Sequence, residues 1–338
     1  MGTAIAKIGS AIYRRAATSQ NIGRLVYSTG GNKGTFYDAL LNTYSKSNVA
    51  KQFARQVNTL ATNFKGKVDD VLKPLCDDFG EYGSRVKKTA KITGKVPKGL
   101  SELTPEDTIA YITSGNFRNV IGDGNGARII FDNAKDYNKF MKRLIKAHKN
   151  KQVDLQIACV ENYHGKGVKP YIDDAIMDDL QKLSYVDGAG NIRNTTVLNK
   201  IKKAGYTRAN TDLYINGVRV EFQIGGKYTT KFGEVEHYLY DMRQTGVIDL
   251  SHLSPEQRQL FYKMREAYQS IINDKVRNPK FEKYLTDIWN TLRIAEEKGF
   301  KEFPKLPKPP KGIPEILSGE NLMLLEEGAV CNKLLLLG

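Results

Sequence analysis

The chain has few of the residues from which metal centres, disulfide frameworks and membrane spans are built. Its 338 residues include three cysteines, four histidines and one tryptophan. Cys76, Cys159 and Cys331 are far apart and have no histidine at a zinc-binding spacing, which argues against both a zinc site and a disulfide framework and indicates a reducing compartment. Basic residues interrupt the apolar positions of 1–20, and no apolar run is long enough to cross a bilayer. We therefore expect a cytoplasmic protein without a membrane span.

Two common nucleotide-binding signatures are also missing. No Walker sequence occurs, and the glycines at 122–126 are too loosely spaced for a dinucleotide fingerprint. The same stretch does not fit a calcium loop, because Ala127 stands where a third oxygen ligand would fall. Taken alone, Asp123-Gly-Asn-Gly is typical of a turn.

The composition favours a globular protein with an anionic partner. Hydrophobic residues make up 40% of the chain, which is enough for a packed core, and 52 lysines and arginines against 37 acidic residues give a net charge of +15. Such a balance favours polyanions such as nucleotides, RNA or DNA. Nucleotide binding does not need so much positive charge, so the basic flanks predict an additional contact with RNA or DNA.

A hairpin at 211–224 has one apolar and one polar face. Asn216-Gly217 is the dipeptide that a type I′ turn requires, because both central residues need positive φ. Side chains alternate along a strand, so Val218, Val220 and Phe222 point to one side. Glu221 and Gln223 point to the other. An ordinary solvated sheet face is the alternative explanation of this pattern.

The remaining pattern predicts an α+β fold with a mixed sheet flanked by helices and with helical extensions at both ends. We expect a basic helical region at 1–70, a central domain at 71–250, and a C-terminal helical extension at 251–338 with a Pro-rich connector at 303–314 and an apolar tail. The acidic segment between Tyr171 and Lys202 is predicted to be a loop-like insertion. Helices are predicted at 70–82 and 134–148, and strands at 127–131 and 153–160.

Six short motifs follow one another between residues 84 and 243. Each has an ordinary explanation on its own, since charge runs usually face solvent and Tyr206 is one of 18 tyrosines. The motifs are Arg85-Val-Lys87, Ile92 with Lys95, Asp123-Gly-Asn-Gly126-Ala-Arg128, Lys202 with Gly205-Tyr206, Glu221-Phe-Gln223-Ile224, and Glu236-His237 with Tyr240. In this order they resemble the RelA/SpoT synthetase family, and the last helix with Arg243 resembles its toxin-type and phage-associated branch.

The resemblance implies a nucleotidyltransferase-like synthetase domain and an activity. Members of the family are ATP-dependent pyrophosphokinases that move the β,γ-diphosphate of ATP to the 3′-hydroxyl of a guanine nucleotide, or of an adenine nucleotide in some toxin branches. The implied partners are ATP and a purine acceptor, either GDP or GTP or else ADP or ATP, together with an antitoxin or phage partner. No His-Asp hydrolase motif is found, so only synthesis is expected.

Pyrophosphoryl transfer depends on positioning and charge neutralisation, and Mg²⁺ needs only one or two protein carboxylates. The resemblance makes Asp123 and Glu221 the candidate Mg²⁺ ligands. Glu221 either shares the metal or accepts the proton of the 3′-hydroxyl, supported by Gln223. The other implied roles are ATP binding for Arg85, Lys87, Lys95 and Arg128, acceptor binding for Lys202, Tyr206 and Asn210, and a supporting role for Glu236 and His237.

Three departures from the family pattern leave a second interpretation open. Lys91 replaces a serine, and Asn210 replaces a histidine. Gly225-Gly226 replaces the Arg-Thr that commonly follows the glutamine motif, and Lys227 is a candidate substitute for that cation. The alternative is a catalytically inactive relative that binds nucleic acid or serves as a phage structural protein.

Overall fold

The fold is built on one six-stranded mixed sheet. The computed structural model describes residues 47–101, 117–131, 133–150, 153–188, 190–202, 204–233, 254–255, 258–259, 262 and 279–311. Its elements are α1 Ser47–Cys76, β1 Gly80–Val86, α2 Thr89–Ser101, β2 Asn125–Phe131, α3 Tyr137–Lys149, β3 Leu155–Gly165, α4 Asp174–Gln181, β4 Ser184–Val186, β5 Ile192–Asn194, β6 Thr196–Lys202, β7 Arg208–Ile215, β8 Val218–Gly226 and α5 Pro279–Lys298. The strand order is β1-β2-β8-β7-β3-β6, with β2/β8 and β3/β6 parallel and the other pairs antiparallel. The predicted α+β class with a mixed sheet is confirmed.

One face of the sheet carries the hydrophobic core. Alternate residues of β2, β7 and β8 are buried there, and helices α1, α3 and α4 cover them, with Phe64, Leu72, Phe140, Leu144 and Leu180 among the helical contributions. Burial of such side chains stabilises the fold by about 1.5–3 kcal/mol each. No helix in the described part of the chain is both long enough and apolar enough to cross a membrane.

The predicted turn is confirmed. Asn216 and Gly217 have φ values of 45° and 71°, as a two-residue type I′ hairpin requires. This tight turn fixes the pairing of β7 with β8, so that Asp212 faces Glu221 and Asn210 faces Gln223. The polar residues of both strands therefore share one face of the sheet.

Two boundary predictions are corrected. The predicted helix at 70–82 is the end of α1, which stops at Cys76, and Gly80–Tyr82 already belong to β1. Lys73 and Pro74 lie in the last turn of α1, where Pro74 lacks the N–H of a helical hydrogen bond. The predicted strand at 153–160 begins at Leu155 and continues to Gly165.

The prediction of a loop-like insertion after Tyr171 is wrong. The segment contains helix α4, the hairpin β4/β5 around Asp187, and strand β6, which extends the main sheet by pairing with β3. Its apolar positions were missed because β6 is an edge strand with few buried residues. The insertion therefore supplies Lys200 and Lys202 to the polar face.

Helix α5 packs against the sheet through its apolar side. Trp289, Ile288 and Leu292 are fully buried. A Cβ added to Gly205 would lie 2.5 Å from the Thr286 Cα. Helix α5 therefore approaches the loop before β7 more closely than a residue with a side chain at position 205 would allow. The limits of the three predicted regions stay predictions, but α1 is continuous across residue 70 and α5 contacts the central sheet.

Candidate functional site

The polar face of the sheet gathers the predicted site residues of the described chain. Arg85, Gly126 and Glu221 are paired across β1, β2 and β8, and Arg128 and Gln223 form the next row. On the other side of β8 the same rows continue through Asp212 and Asn210 of β7 to Cys159 and Glu161 of β3. Glu236 and His237 lie outside the described residues.

Asp123 lies in the turn before β2 and is held by two lysines. Lys87 follows β1 and Lys95 lies on α2, and the Nζ atoms of both contact Asp123 Oδ2. The backbone also anchors the turn, because Lys87 N donates to Gly124 O at 2.9 Å. The predicted Arg85-x-Lys87, Lys95 and Asp123 motifs therefore meet in one cluster.

Burial and charge act in opposite directions within this cluster. Burial would raise the pKa of Asp123, but the adjacent Lys87 and Lys95 ammonium groups hold it below its usual value. Burial lowers the pKa of Lys87 to about 8, despite the Asp123 charge, because this side chain is only 7% exposed. Lys95 is half exposed, and although burial would lower its pKa, the Asp123 charge raises it above the usual value. As the pH rises, Lys87 therefore loses its proton before Lys95 does.

Glu221 lies beside this cluster. Its Oε2 is 3.8 Å from Arg85 Nη2, and its charge raises the pKa of Lys95, which also pairs with Asp123. Gly126 separates Arg85 from Glu221 on the sheet, and a Cβ added there would lie 3.3 Å from Arg85 Nε and 3.9 Å from Glu221 Oε2. The two predicted carboxylates therefore border one cation-lined region of the polar face.

Aromatic residues and cations form a second cluster at the other end of the face. Tyr206 meets Tyr163 and Trp289 edge to face, with ring centroids 5.9 and 5.5 Å apart. The Lys202 ammonium lies 4.2 Å from the centre of the Tyr163 ring, and the Arg208 guanidinium lies 5.9 Å from that of Tyr206. Contacts of this type are favourable because the ring faces carry negative potential. Predicted acceptor residues Lys202 and Tyr206 thus belong to the same cluster.

A small pocket of about 40 Å³ links the two clusters. Glu221, Asp212, Asn210, Glu161 and Cys159 line it. Lys200 Nζ and Tyr163 Oη each donate to Glu161 at 2.5 Å. Burial would raise the pKa of Glu161, but these two contacts lower it.

Asn210, which the sequence placed among the acceptor residues, has a buried Oδ1. Within the described residues this atom has no hydrogen-bond partner. Since burying a polar atom without a partner is costly, the Oδ1 atom is suited to accept a hydrogen bond from a bound molecule or a water.

Sequence reasoning missed several residues of this face. Arg219 contacts Asp212 at 2.5 Å and lies against the backbone of Gly122, and Arg208 donates to Gln223 Oε1 at 2.8 Å. The Asn216-Gly217 turn fixes the register of the hairpin, so the pair Asp212/Glu221 could be predicted from the turn type. The contact of Trp289 with Tyr206 carries no such local signal.

The carboxylates suit magnesium better than softer metals. Asp123 and Glu221 offer hard oxygen ligands, which Mg²⁺ prefers and which it supplements with water and substrate phosphates. In the described part of the chain no cluster of three or more His, Cys, Asp or Glu side chains has the geometry of a metal site. A dedicated all-protein cage is therefore not built here, whereas a two-carboxylate Mg²⁺ site fits these residues.

The comparison with solved structures finds alarmone synthetases at low sequence identity. The chain is similar to the small alarmone synthetase 1 from Bacillus subtilis, at 18% identity over 65% of this chain and 91% of that one, with a TM-score of 0.32. A second structure of that enzyme, bound to its product pppGpp, gives 15% identity, coverage of 71% and 98%, and a TM-score of 0.29.

A GTP pyrophosphokinase family protein from Streptococcus pneumoniae gives 15% identity, coverage of 70% and 95%, and a TM-score of 0.33. No family model and no curated protein matches the chain. These identities and scores are too low to transfer an activity, so the assignment depends on the residues and their geometry.

Proposed function

We propose that the protein is a Mg²⁺-dependent pyrophosphokinase that transfers the β,γ-diphosphate of ATP to the 3′-hydroxyl of a purine nucleotide. The observation that carries the proposal is the arrangement of the polar face. Asp123 and Glu221 border one group of cations, and a second group of cations with an aromatic cluster lies across a pocket from it. A reaction between two nucleotides needs two such binding regions with an acid–base group between them.

The cations beside Asp123 suit a triphosphate. Arg85, Lys87 and Lys95 converge on the two carboxylates, and Arg128 lies in the neighbouring row. In this role they bind the ATP phosphates and offset the charge that develops on them. Asp123 and Glu221 would hold Mg²⁺, which would further neutralise the phosphate oxygens.

Glu221 lies between the two regions, where an acceptor hydroxyl would meet the donor phosphate. The 3′-oxygen of the acceptor forms a bond to the β-phosphorus of ATP, the bond between that phosphorus and the α,β-bridging oxygen breaks, and AMP leaves with the electron pair. The hydroxyl proton passes to the Glu221 carboxylate. Tyr206 offers its ring to the acceptor base, and an aromatic face accepts any purine.

A transfer assay tests this function. The protein is incubated with γ-labelled ATP, Mg²⁺ and one of GDP, GTP, ADP or further ATP, and the nucleotides are then separated. Label is expected in a nucleotide 3′-diphosphate together with an equal amount of AMP. Glu221→Gln keeps the size of the side chain but cannot accept the proton, so the rate should fall by roughly 100- to 10,000-fold.

Glu81→Gln is the matched control, because it removes the same charge from an exposed position of β1. It should retain the wild-type rate. Absence of product with every one of these acceptors would reject the enzyme and favour the nucleic-acid-binding alternative. Unchanged transfer in Glu221→Gln would reject the role of this carboxylate while leaving the reaction in place.

A further inference from the structure

Arg208 lies where the aromatic cluster meets the residues around Glu221. It is the first residue of β7, and its Nη1 donates to Gln223 Oε1 at 2.8 Å. The same guanidinium lies 5.9 Å from the centre of the Tyr206 ring. Arg208 therefore connects the tyrosine that offers a surface for a base with the strand that carries Glu221.

The position opposite Arg208 on β8 is a glycine. The last pair of the hairpin is Ala209 with Ile224, and continuing that register by one residue puts Gly225 opposite Arg208. A Cβ added to Gly225 would lie 2.7 Å from Thr230 Oγ1, and Thr230 is only 3% exposed. The same Cβ would lie 3.8 Å from Arg208 Nε. Thr230 therefore disfavours a side chain at 225, and Arg208 is the cation that lies next to this end of β8.

Two cations flank the tyrosine pair. Lys202 lies over Tyr163, and Arg208 lies beside Tyr206, whose ring is in edge contact with that of Tyr163. A nucleotide has an apolar, planar base and an anionic phosphate chain joined by a ribose, so it requires an aromatic surface with cations next to it. The hydrogen bond to Gln223 uses one of the five guanidinium donors, and the planar fork of the others suits phosphate oxygens.

We propose that Arg208 binds the 5′-phosphates of the acceptor nucleotide. This inference rests on the proposed function, since it names a residue of the acceptor half of that site. Lys227, the substitute considered from the sequence, is exposed at the start of the helical residues 227–233. Its ammonium lies 5.9 Å from the centre of the Tyr228 ring, away from the Tyr163–Tyr206 pair.

The single tryptophan of the chain makes a direct binding test possible. Trp289 contacts Tyr206, so its fluorescence should respond when a base stacks on that ring. The full chain is titrated with GDP and guanosine, and with ADP and adenosine, in the absence of an ATP donor. For the preferred base, the wild-type protein should bind the diphosphate more tightly than the nucleoside.

Arg208→Gln should remove most of that difference. The amide keeps a hydrogen-bonding group near Gln223 but has no charge, so diphosphate affinity should fall roughly 10- to 100-fold while nucleoside affinity stays the same. Arg208→Lys should give an intermediate loss, because an ammonium keeps the charge without the planar fork. Arg143→Ala is the charge control, since Arg143 pairs with Asp78 on the helix-covered side of the sheet and its loss should leave both affinities unchanged.

The outcomes separate this inference from the proposed reaction when the transfer assay is run on the same preparations. Equal weakening of diphosphate and nucleoside binding in Arg208→Gln, or no weakening of either, would overturn the inference even if the wild type transfers label. Loss of only the diphosphate preference supports it, whether or not transfer is observed. A wild-type protein without any preference for the diphosphate would also overturn it.

Discussion

Gly205→Ala tests whether helix α5 is part of the acceptor site. Gly205 has a φ of 83°, in the left-handed region that other residues adopt with difficulty. A Cβ at this position would also lie 2.5 Å from the Thr286 Cα and 3.0 Å from Trp289 Cδ1. The Thr286 Cα is a backbone atom in the middle of α5, so the helix itself must move away from the loop.

The magnitude follows from these two effects. Placing an alanine in the left-handed region costs roughly 1–2 kcal/mol. Insertion of a methyl group into a packed contact typically costs about 1–3 kcal/mol more. The free energy of unfolding should therefore fall by about 2–5 kcal/mol if α5 is seated as described.

Two other glycines provide matched controls. Gly167 has a φ of 77° but nothing within 4 Å of an added Cβ, so Gly167→Ala should show only the backbone cost of roughly 1–2 kcal/mol. Gly94 lies within α2, is exposed and also has nothing within 4 Å, so Gly94→Ala should stabilise the helix by up to about 1 kcal/mol. Urea unfolding followed by Trp289 fluorescence and by circular dichroism measures all three.

The comparison of Gly205→Ala with Gly167→Ala isolates the contact with α5. Equal losses in the two variants would refute the packing of α5 against this loop. The acceptor titration gives a second measurement, because Tyr206 follows Gly205 and touches Trp289. If Gly205→Ala destabilised the protein but bound the acceptor with wild-type affinity, α5 would be a stabilising element without influence on the site.

Two further predictions concern the donor half of the site. Because the pKa of Lys87 is lowered to about 8, kcat/KM for ATP should decline above that pH as the ammonium becomes neutral. Lys87→Arg should abolish the decline because arginine stays charged. A decline that persists in Lys87→Arg would show that another group titrates. Gly122→Ala should displace the Arg219 guanidinium, which lies 2.5 Å from an added Cβ, and free Asp212 opposite Glu221. Gly122→Ala and Arg219→Ala should each lower kcat by roughly 10- to 100-fold, and their combination should be no worse than either, whereas additive losses would contradict a shared mechanism.

Local chemistry explains which parts of the site the sequence predicted. The Asn216-Gly217 turn and the two-residue alternation of β8 depend on neighbouring residues, so the face that bears Glu221 and Gln223 follows from the sequence alone. The meeting of Lys87, Lys95 and Asp123 was predicted from the order of motifs that resemble a family. Their distances and burial depend on how α2 and the turn before β2 pack, which no local pattern specifies.

Long-range packing explains the errors. All residues of strand β6 are exposed or half-buried because it lies at the edge of the sheet, so no buried alternation marked it as a strand. Helix α5 was predicted as part of a separate extension, yet Trp289 contacts Tyr206, which lies 83 positions earlier in the sequence. Such a contact requires Gly205 to allow the approach, and a glycine in a sequence indicates a turn as readily as a close contact.

Two different contacts explain the two glycines that end β8, and one of them is with α5. Gly226 lies against the Glu296 carboxylate, with a hypothetical Cβ only 2.1 Å from Glu296 Cδ. That carboxylate accepts hydrogen bonds from Thr229 N at 2.8 Å and from Thr229 Oγ1 and Tyr171 Oη, both at 2.9 Å, and so satisfies a backbone donor in the first turn of residues 227–233. Burial raises the pKa of Glu296, whereas these hydrogen bonds act to lower it. A buried carboxylate is costly without hydrogen-bond partners, so the fold depends on keeping all of these bonds. A side chain at 226 would push the carboxylate away, and one at 225 would meet Thr230. The contact with α5 therefore requires the glycine at 226 and the packing of Thr230 requires the one at 225, so the cation at this end of β8 is Arg208 of the neighbouring strand β7, which donates to Gln223.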